Sequence, residues 1–320
     1  MKKILITGFS GFVARHFLDY LFVHDLPYEV MGVDIKEPAL TLSEYEGVCS
    51  VTFRRCNLLE QENVESIIRE FRPDFILHLA AFSSVAYSWQ HPEECFQNNT
   101  AVFLNLMGAV RKAELSHCRI LSVGSSEEYG NVEKKDLPLR EDMELRPVSP
   151  YAVARLSQEM MSKVYAKNFG VDIVLTRSFN HMGPYQDTRF VVPGFAKRIL
   201  DLAESGKTEG VIETGDTTII RDFVDVRDVV RAYYMLLMEG TPGEVYNICS
   251  GMGVALSEII EELSDIIGVS VMGQVNPEFV RPDDNRAVIG SRDKILKDVG
   301  WKPEIPLRKT LEDLVNQMKK

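Results

Sequence analysis

The chain is short of cysteine, short of basic charge and without long apolar runs. Its five cysteines, Cys49, Cys56, Cys95, Cys118 and Cys249, show none of the paired spacings of a metal site, and no metal is expected. Their odd number, with no secretory signal ahead of the first strand-like segment, predicts reduced thiols and a cytoplasmic protein. Lys and Arg number 36 against 47 Asp and Glu, a net charge of −11. A chain this acidic is a poor general binder of nucleic acid and keeps at most a local basic pocket for a phosphate. No stretch reaches the ~18 apolar residues of a bilayer span, so no membrane partner is expected. Repeats, low-complexity tracts and flexible linkers are missing too. What is present is 320 residues, 45% of them hydrophobic, enough for one large domain or two intimate ones around an ample core.

Apolar, β-branched runs alternate with longer helical patterns. Residues 4–7, 30–34, 51–55, 75–79, 120–124 and 173–176 read as strands, and 12–23, 60–71, 92–114 and 151–168 as helices. Near-continuous apolar strands alternating with helices imply an α/β fold: a doubly wound parallel sheet of the Rossmann type, covered on both faces. From about residue 178 the rhythm loosens, and Gly183-Pro184, Pro193-Gly194 and Pro242-Gly243 read as loops. A further strand at 245–249 is expected to return to the sheet. The expected division is a dinucleotide-binding domain over 1–177, with returning segments at about 221–250. The remainder of 178–320 forms a smaller α/β substrate-binding lobe over the strand ends.

The first strand runs into Gly8-Phe-Ser-Gly11-Phe-Val-Ala14. Gly8 permits a tight turn, Gly11 lets backbone approach a pyrophosphate at a helix N-terminus, and small Ala14 allows close helix–strand packing. A lone glycine triplet is weak evidence, but this one lies at a strand–helix junction. Asp34 follows twenty residues after Ala14, at the end of the second strand. A carboxylate there accepts hydrogen bonds from adenosine ribose hydroxyls and repels a 2′-phosphate, which favours NAD(H). Lys36 keeps NADP(H) open.

A second group centres on Ser125-Ser-Glu127-Glu-Tyr-Gly130 and, 26 residues after Ser125, Tyr151-Ala-Val-Ala-Arg155. Tyr151 and Arg155 are i,i+4 neighbours on one helical face, with Pro150 suited to the helix start. A free phenol holds its proton too tightly for exchange at neutral pH, and a fixed cation beside it stabilises the phenolate. Ser125, at a strand end, is placed to hydrogen-bond the same substrate oxygen. Glu127 is open to three readings: general base, partner of sugar hydroxyls, or buried structural carboxylate.

Taken together, Thr7-Gly8-x-x-Gly11-x-x-Ala14, Asp34, His78-Leu-Ala-Ala81, Asn99, Gly124-Ser-Ser-Glu-Glu-Tyr-Gly130, Tyr151-x-x-x-Arg155, Phe179-Asn-His-Met-Gly-Pro184, Arg221-Asp-Phe-Val-Asp-Val-Arg-Asp228 and Arg281-Pro282 resemble the extended short-chain dehydrogenase/reductases of the nucleotide-sugar type almost end to end. Within them the chain is most similar to GDP-4-keto-6-deoxymannose reductases, with the GDP-mannose 4,6-dehydratases close by. The resemblance implies cofactor contacts at Gly8, Ser10, Gly11, Phe12, Val13, Asp34, Ile35, Asn57, Leu58, Leu79, Ala80, Ala81, Asn99, Tyr151 and Arg155. It implies catalysis by Ser125, Glu127, Tyr151 and Arg155. Asn57 stands where relatives carry Asp against the adenine amine. Arg155 replaces the family's Lys with a longer, planar cation that is not equivalent in geometry.

For the substrate, the resemblance points to Ser84, Glu127, Asn180, Val191, Arg221, Arg281 and Asp284 around a nucleoside diphosphate sugar. The arginine forks suit phosphate and Asp284 suits ribose hydroxyls. His181 is read either beside the nicotinamide or as turn packing. Reduction of a C4 ketone of a GDP-4-keto-6-deoxyhexose is the preferred reaction. A 4,6-dehydratase or 4-epimerase with retained NAD, and a non-catalytic NAD(H)-binding protein, are the alternatives. A homodimer through the helices at 92–114 and 151–168 is expected.

Overall fold

The computed structural model describes residues 1–279 and 285–319. β1 (Lys2–Thr7) passes through the glycine turn into α1 (Phe12–Val23), followed by β2 (Tyr28–Asp34), β3 (Ser50–Arg55), α2 (Gln61–Phe71) and β4 (Phe75–His78). Short α3 (Val85–Gln90) and long α4 (Pro92–Lys112) lead to β5 (Arg119–Ser125), α5 (Pro150–Phe169) and β6 (Asp172–Ser178). Beyond these come β7 (Asn180–Met182), α6 (Val191–Glu204), β8 (Glu209–Thr214), β9 (Ile220–Asp225), α7 (Val226–Glu239) and β10 (Val245–Ile248). The chain closes with β11 (Gly253–Ala255), α8 (Leu256–Ile267), β12 (Ser270–Val275), β13 (Ala287–Val288), α9 (Asp293–Val299) and α10 (Leu307–Met318).

The six expected strands and the return strand β10 form one parallel sheet in the order β10-β6-β5-β4-β1-β2-β3. The fold is therefore the doubly wound α/β sheet that the sequence implies. The alternation of side chains along β1 shows why both faces need helices. Ile4 and Ile6 join Phe17, Leu21, Val229 and Leu236, so α1 and α7 cover that face. Leu5 joins Ile67, Phe103, Leu106 and Tyr165, so α2, α4 and α5 cover the other. The strand order reverses between β1 and β4. A crevice opens at such a switch point, beyond the C-terminal strand ends, and ligands bind there in open α/β sheets.

A smaller region covers that end. β9 pairs with β7, β11 and β13, and β8 pairs with β12. A separate core joins α6, α8 and α10 through Ile199, Ile259, Leu263, Leu311 and Leu314. β9 thus belongs to the small sheet, and the chain returns to the main sheet with α7 and β10 and again with α9, whose Ile295 and Val299 join the main core. The sequence expectation of a loop at Pro193-Gly194 is overturned. Both residues lie in the first turn of α6. A proline costs nothing there, because its missing N–H has no intrahelical acceptor in the first turn. Carboxylates latch the last helix down. Asp225 accepts from Thr310 Oγ1 at 2.7 Å, and Asp228 Oδ2 accepts from the backbone N–H groups of Glu304 and Ile305 at 2.9 and 2.8 Å.

Candidate functional site

The glycine turn sits at the switch point. Gly8 has φ of +70°, and a Cβ there would meet Ala80 N at 2.8 Å, so both backbone angle and space demand glycine. Its N–H donates to Val33 O at 3.0 Å, and Gly11 N–H donates to Gly8 O at 3.1 Å. Among the described residues no side chain caps the start of α1, and its first turn carries no acidic residue. The leading N–H groups at Phe12 and Val13 therefore face outward as an anion site at the positive end of the helix dipole. A cavity of about 570 Å³ opens beside this turn, lined in part by Ser10, Gly11, Phe12, Arg15 and Gln186. The arrangement suits a pyrophosphate.

Asp34, at the end of β2, is half-buried. Its Oδ2 accepts from Ser10 N–H at 3.0 Å and its Oδ1 from Lys36 N–H at 3.2 Å. The carboxylate therefore braces the glycine turn while remaining at the rim. Ile35 is exposed beside it. Asn57 is exposed too, and its Oδ1 accepts from Leu59 N–H at 3.0 Å. Leu58 is buried, and its carbonyl accepts from Asn105 Nδ2.

On the other side of the crevice, the segment after β4 carries Leu79, Ala80 and Ala81. Two buried clamps fix it. Asn99, fully buried on α4, accepts from Phe82 N–H at 2.8 Å and donates to Phe82 O at 3.1 Å, as a neighbouring strand would. Thr7 Oγ1 accepts from Ala80 N–H at 3.2 Å and shares a 2.8 Å bond with His78 Nδ1. Burial, with Arg155 nearby, pushes the His78 imidazole down to about 3, so it is neutral. Ser84 caps α3, accepting from Tyr87 N–H.

Ser149 caps α5, and Pro150 opens it as expected. One turn in, Arg155 donates from Nε to the Tyr151 phenol oxygen at 3.2 Å. Its Nη1 donates to Val123 O at 3.2 Å and to Gln158 Oε1 at 2.9 Å. Both residues are about one-twentieth exposed. Gln158 in turn donates to Ser122 Oγ at 2.9 Å. Arginine is thus built in: a lysine ammonium has one nitrogen and no fork to span the phenol, the strand carbonyl and the amide together. The Val123 bond fastens the Tyr151 helix to β5 two residues before Ser125. There the chain turns sharply, and Ser125 Oγ accepts from Glu127 N–H at 3.2 Å, a bond that does not use the hydroxyl's own proton. Glu127 is half-buried in the same turn. The structure therefore brings Ser125, Glu127, Tyr151 and Arg155 to one strand end.

Residues that the sequence reading passed over frame this group. Glu128 and Glu159 are buried side by side, and Arg177 grips Glu159 from behind with two 2.8 Å bonds. Asn285 connects the small region to the turn, donating to Gly130 O at 2.7 Å while its own carbonyl accepts from Arg221 Nη1 at 2.8 Å. Asn180 is exposed on β7, whose partner strand β9 carries Arg221. Val191 is exposed at the start of α6. His181 is half-buried on β7. It stacks on Phe12 with ring centres 5.7 Å apart and bonds Phe179 O. Arg281 and Asp284 lie outside the described residues.

Comparison with known proteins gives a consistent answer. The profile of the GDP-mannose 4,6 dehydratase family matches residues 5–317. The chain is 32% identical over 315 residues to GDP-6-deoxy-D-mannose reductase from Pseudomonas aeruginosa, covering 98% of this chain and 96% of that one. Among solved structures it superimposes on RMD from Pseudomonas aeruginosa complexed with NADPH, with a TM-score of 0.86, 30% identity and full coverage of both chains. The UDP-glucose 4-epimerase from Thermotoga maritima with UDP-glucose gives the same TM-score at 28% identity, covering 99% and 98% of the two chains. The chain belongs to the NAD-dependent epimerase/dehydratase family of extended short-chain dehydrogenase/reductases, enzymes that modify nucleotide sugars with a nicotinamide cofactor.

Proposed function

We propose that this protein reduces the C4 ketone of a GDP-4-keto-6-deoxyhexose, with NADH as the preferred reductant. The observation that carries the reading is the Tyr151 phenol, tied to the Arg155 guanidinium beside the Ser125 strand end. The GDP-6-deoxy-D-mannose reductase relative supports the choice of substrate. Gly8, Gly11 and the first N–H groups of α1 would hold the pyrophosphate, Asp34 the adenosine ribose, and Leu79–Ala81 the inner wall. When bound, the cofactor supplies the hydride to C4. Tyr151 gives its phenolic proton to O4, so that the carbonyl gains H⁻ and H⁺ and becomes an alcohol. Ser125 donates its hydroxyl proton in a hydrogen bond to O4 and holds the carbonyl in line. Arg155 stabilises the phenolate left behind.

A 4,6-dehydratase is the second reading. Glu127 favours it, as a carboxylate in the turn after Ser125 and a candidate base for the C5 proton, and so does the matching family profile. Purified protein incubated with GDP-mannose and with its 4-keto-6-deoxy product, with and without NADH, separates the two. The expected result is NADH consumption with the keto sugar only. Conversion of GDP-mannose without added cofactor would establish the dehydratase, and binding without turnover would leave neither.

The NADH preference rests on the Asp34 charge at the ribose edge. NADH is expected to bind more tightly than NADPH, and Asp34→Ser to narrow or reverse the difference. Tighter NADPH binding by the parent protein would overturn that assignment; the Lys36 side chain and the NADPH in the Pseudomonas aeruginosa structure are the arguments on that side. The reading also includes a homodimer. Phe96 and Leu104 on α4, with Val153, Met160 and Val164 on α5, leave apolar side chains exposed on two adjacent helices. Light scattering at micromolar concentration should give twice the 36.2 kDa chain mass.

A further inference from the structure

Glu128 is fully buried one residue beyond Glu127. Its Oε1 accepts the Ser125 backbone N–H at 2.7 Å. The same oxygen lies against Gly124: a Cβ on that glycine would stand 2.5 Å from it. The other oxygen, Oε2, meets no nitrogen or hydroxyl donor among the described residues. The Glu128 carboxyl instead interacts with the carboxyl of Glu159 on α5. Two carboxyl oxygens face each other without repulsion only when a proton lies between them. Glu159 is the ionised partner. Burial opposes its charge, but the Arg177 fork and a 2.7 Å bond from Lys163 Nζ outweigh burial and hold it down to about 2. Burial and the Glu159 charge raise Glu128 well above the carboxylate range, so it keeps its proton.

The charged and titratable groups facing Glu128 are thus Glu159 from α5, with Lys163 on the same carboxylate, and Arg177 from β6. None of these groups lies in the substrate crevice as a candidate ligand. Yet the chain of contacts runs from Ser125 N–H through Glu128 to Glu159, one turn beyond Arg155 on the helix that carries Tyr151.

We propose that Glu128 is a positioning residue, a carboxylic acid that bonds the Ser125 strand end to Glu159 and so fixes Ser125 in register with Tyr151. The link complements the Arg155–Val123 bond. One fastens the helix to the strand before Ser125, the other to the turn after it. A second, independent tether is what a hydroxyl that must meet the same oxygen as a phenol requires, because small displacements of reacting groups are costly in rate.

This inference rests on the tyrosine-and-serine reading of the site, and its test separates the two. The probes are Glu128→Gln and Glu128→Leu in the full chain. Gln retains an acceptor for Ser125 N–H and gains an amide N–H for the Glu159 carboxylate, so it should keep kcat within a few-fold. Leu keeps bulk and loses both bonds. Its kcat is expected to fall about 10-fold or more, in proportion to the misplacement of Ser125, with KM and cofactor affinity unchanged. Infrared difference spectra of parent against Glu128→Gln at neutral pH should show the C=O stretch of a protonated acid, present in the parent only. This readout needs neither substrate nor turnover, so it stands even if the assigned reaction fails. An absent band, equal kcat losses in both variants, or unchanged kcat in Glu128→Leu would each overturn the proposal. If Glu128→Leu does not fold, the spectrum and Glu128→Gln decide it.

Discussion

Turnover of Tyr151→Phe is expected to fall by about 10²–10⁴-fold, the contribution of a positioned acid, with NADH affinity largely intact. The substitution keeps ring volume in a side chain that is 6% exposed, so the packing of α5 is undisturbed. What disappears is the phenolic proton and the acceptor of the Arg155 Nε bond. Arg155 stays anchored by its Nη1 bonds to Val123 and Gln158, which limits the structural consequence to one unpaired N–H, about 1–3 kcal/mol. Stability and catalysis are therefore separable: a small loss in urea midpoint beside a large loss in kcat. Turnover equal to the parent's would remove Tyr151 from proton transfer and move the search to Glu127.

The main sheet was readable because it is built from local signals. Buried parallel strands are runs of Val, Ile and Leu, and each is followed by a helical period, so six strands and four helices emerge from the pattern alone. The glycine turn was readable for the same reason: Gly8 and Asp34 each announce a strand end. The C-terminal region was less so. Its helices carry clear apolar stripes, such as Leu256, Ile259, Ile260 and Leu263 on α8, but Gly and Pro punctuation obscured them. Pro193-Gly194 reads as a loop because a proline in the first turn looks the same in sequence as a proline that ends a helix.

The site was legible in its residues and not in its connections. Tyr151 and Arg155 are four apart, and helical spacing makes them neighbours. Nothing local shows that Arg155 reaches Val123 O, 32 residues back, or that Asn99 clamps Phe82. In sequence, Arg155 in place of the family's lysine is a change of geometry with nothing local to account for it. The Gln158 amide and the Val123 carbonyl together give the guanidinium a reason to be there. In the motif from Arg221 to Asp228 only Arg221 reads as substrate-binding, and nothing local shows that the carboxylates beside it serve the fold. Asp222 alone accepts from Ser250 N–H and Oγ and from the N–H groups of Gly251 and Gly290.

Arg177→Met should cost about 3–5 kcal/mol of stability, the usual effect of breaking a buried ion pair from one side. Arg177 is 2% exposed and Glu159 4%, and their two 2.8 Å bonds form a bidentate fork deep between α5 and β6. Methionine fills the volume but leaves the Glu159 charge beside Glu128 with Lys163 as its remaining cation. The pH dependence gives the prediction its edge. In the parent, Glu159 is depressed to about 2, so its contribution is present above its unfolded value and lost only as pH falls toward 2. Glu128 is raised, so its contribution is complete below its unfolded value and declines as pH rises. Without Arg177, Glu159 recovers its stability by taking up a proton. The deficit relative to the parent should then be largest near neutral pH and shrink towards about pH 5, read as the difference in urea midpoint at the two conditions. A deficit of the same size at both would mean that Arg177 matters for packing against Tyr129, over whose ring its guanidinium lies at 4.8 Å, and not for the charge it neutralises.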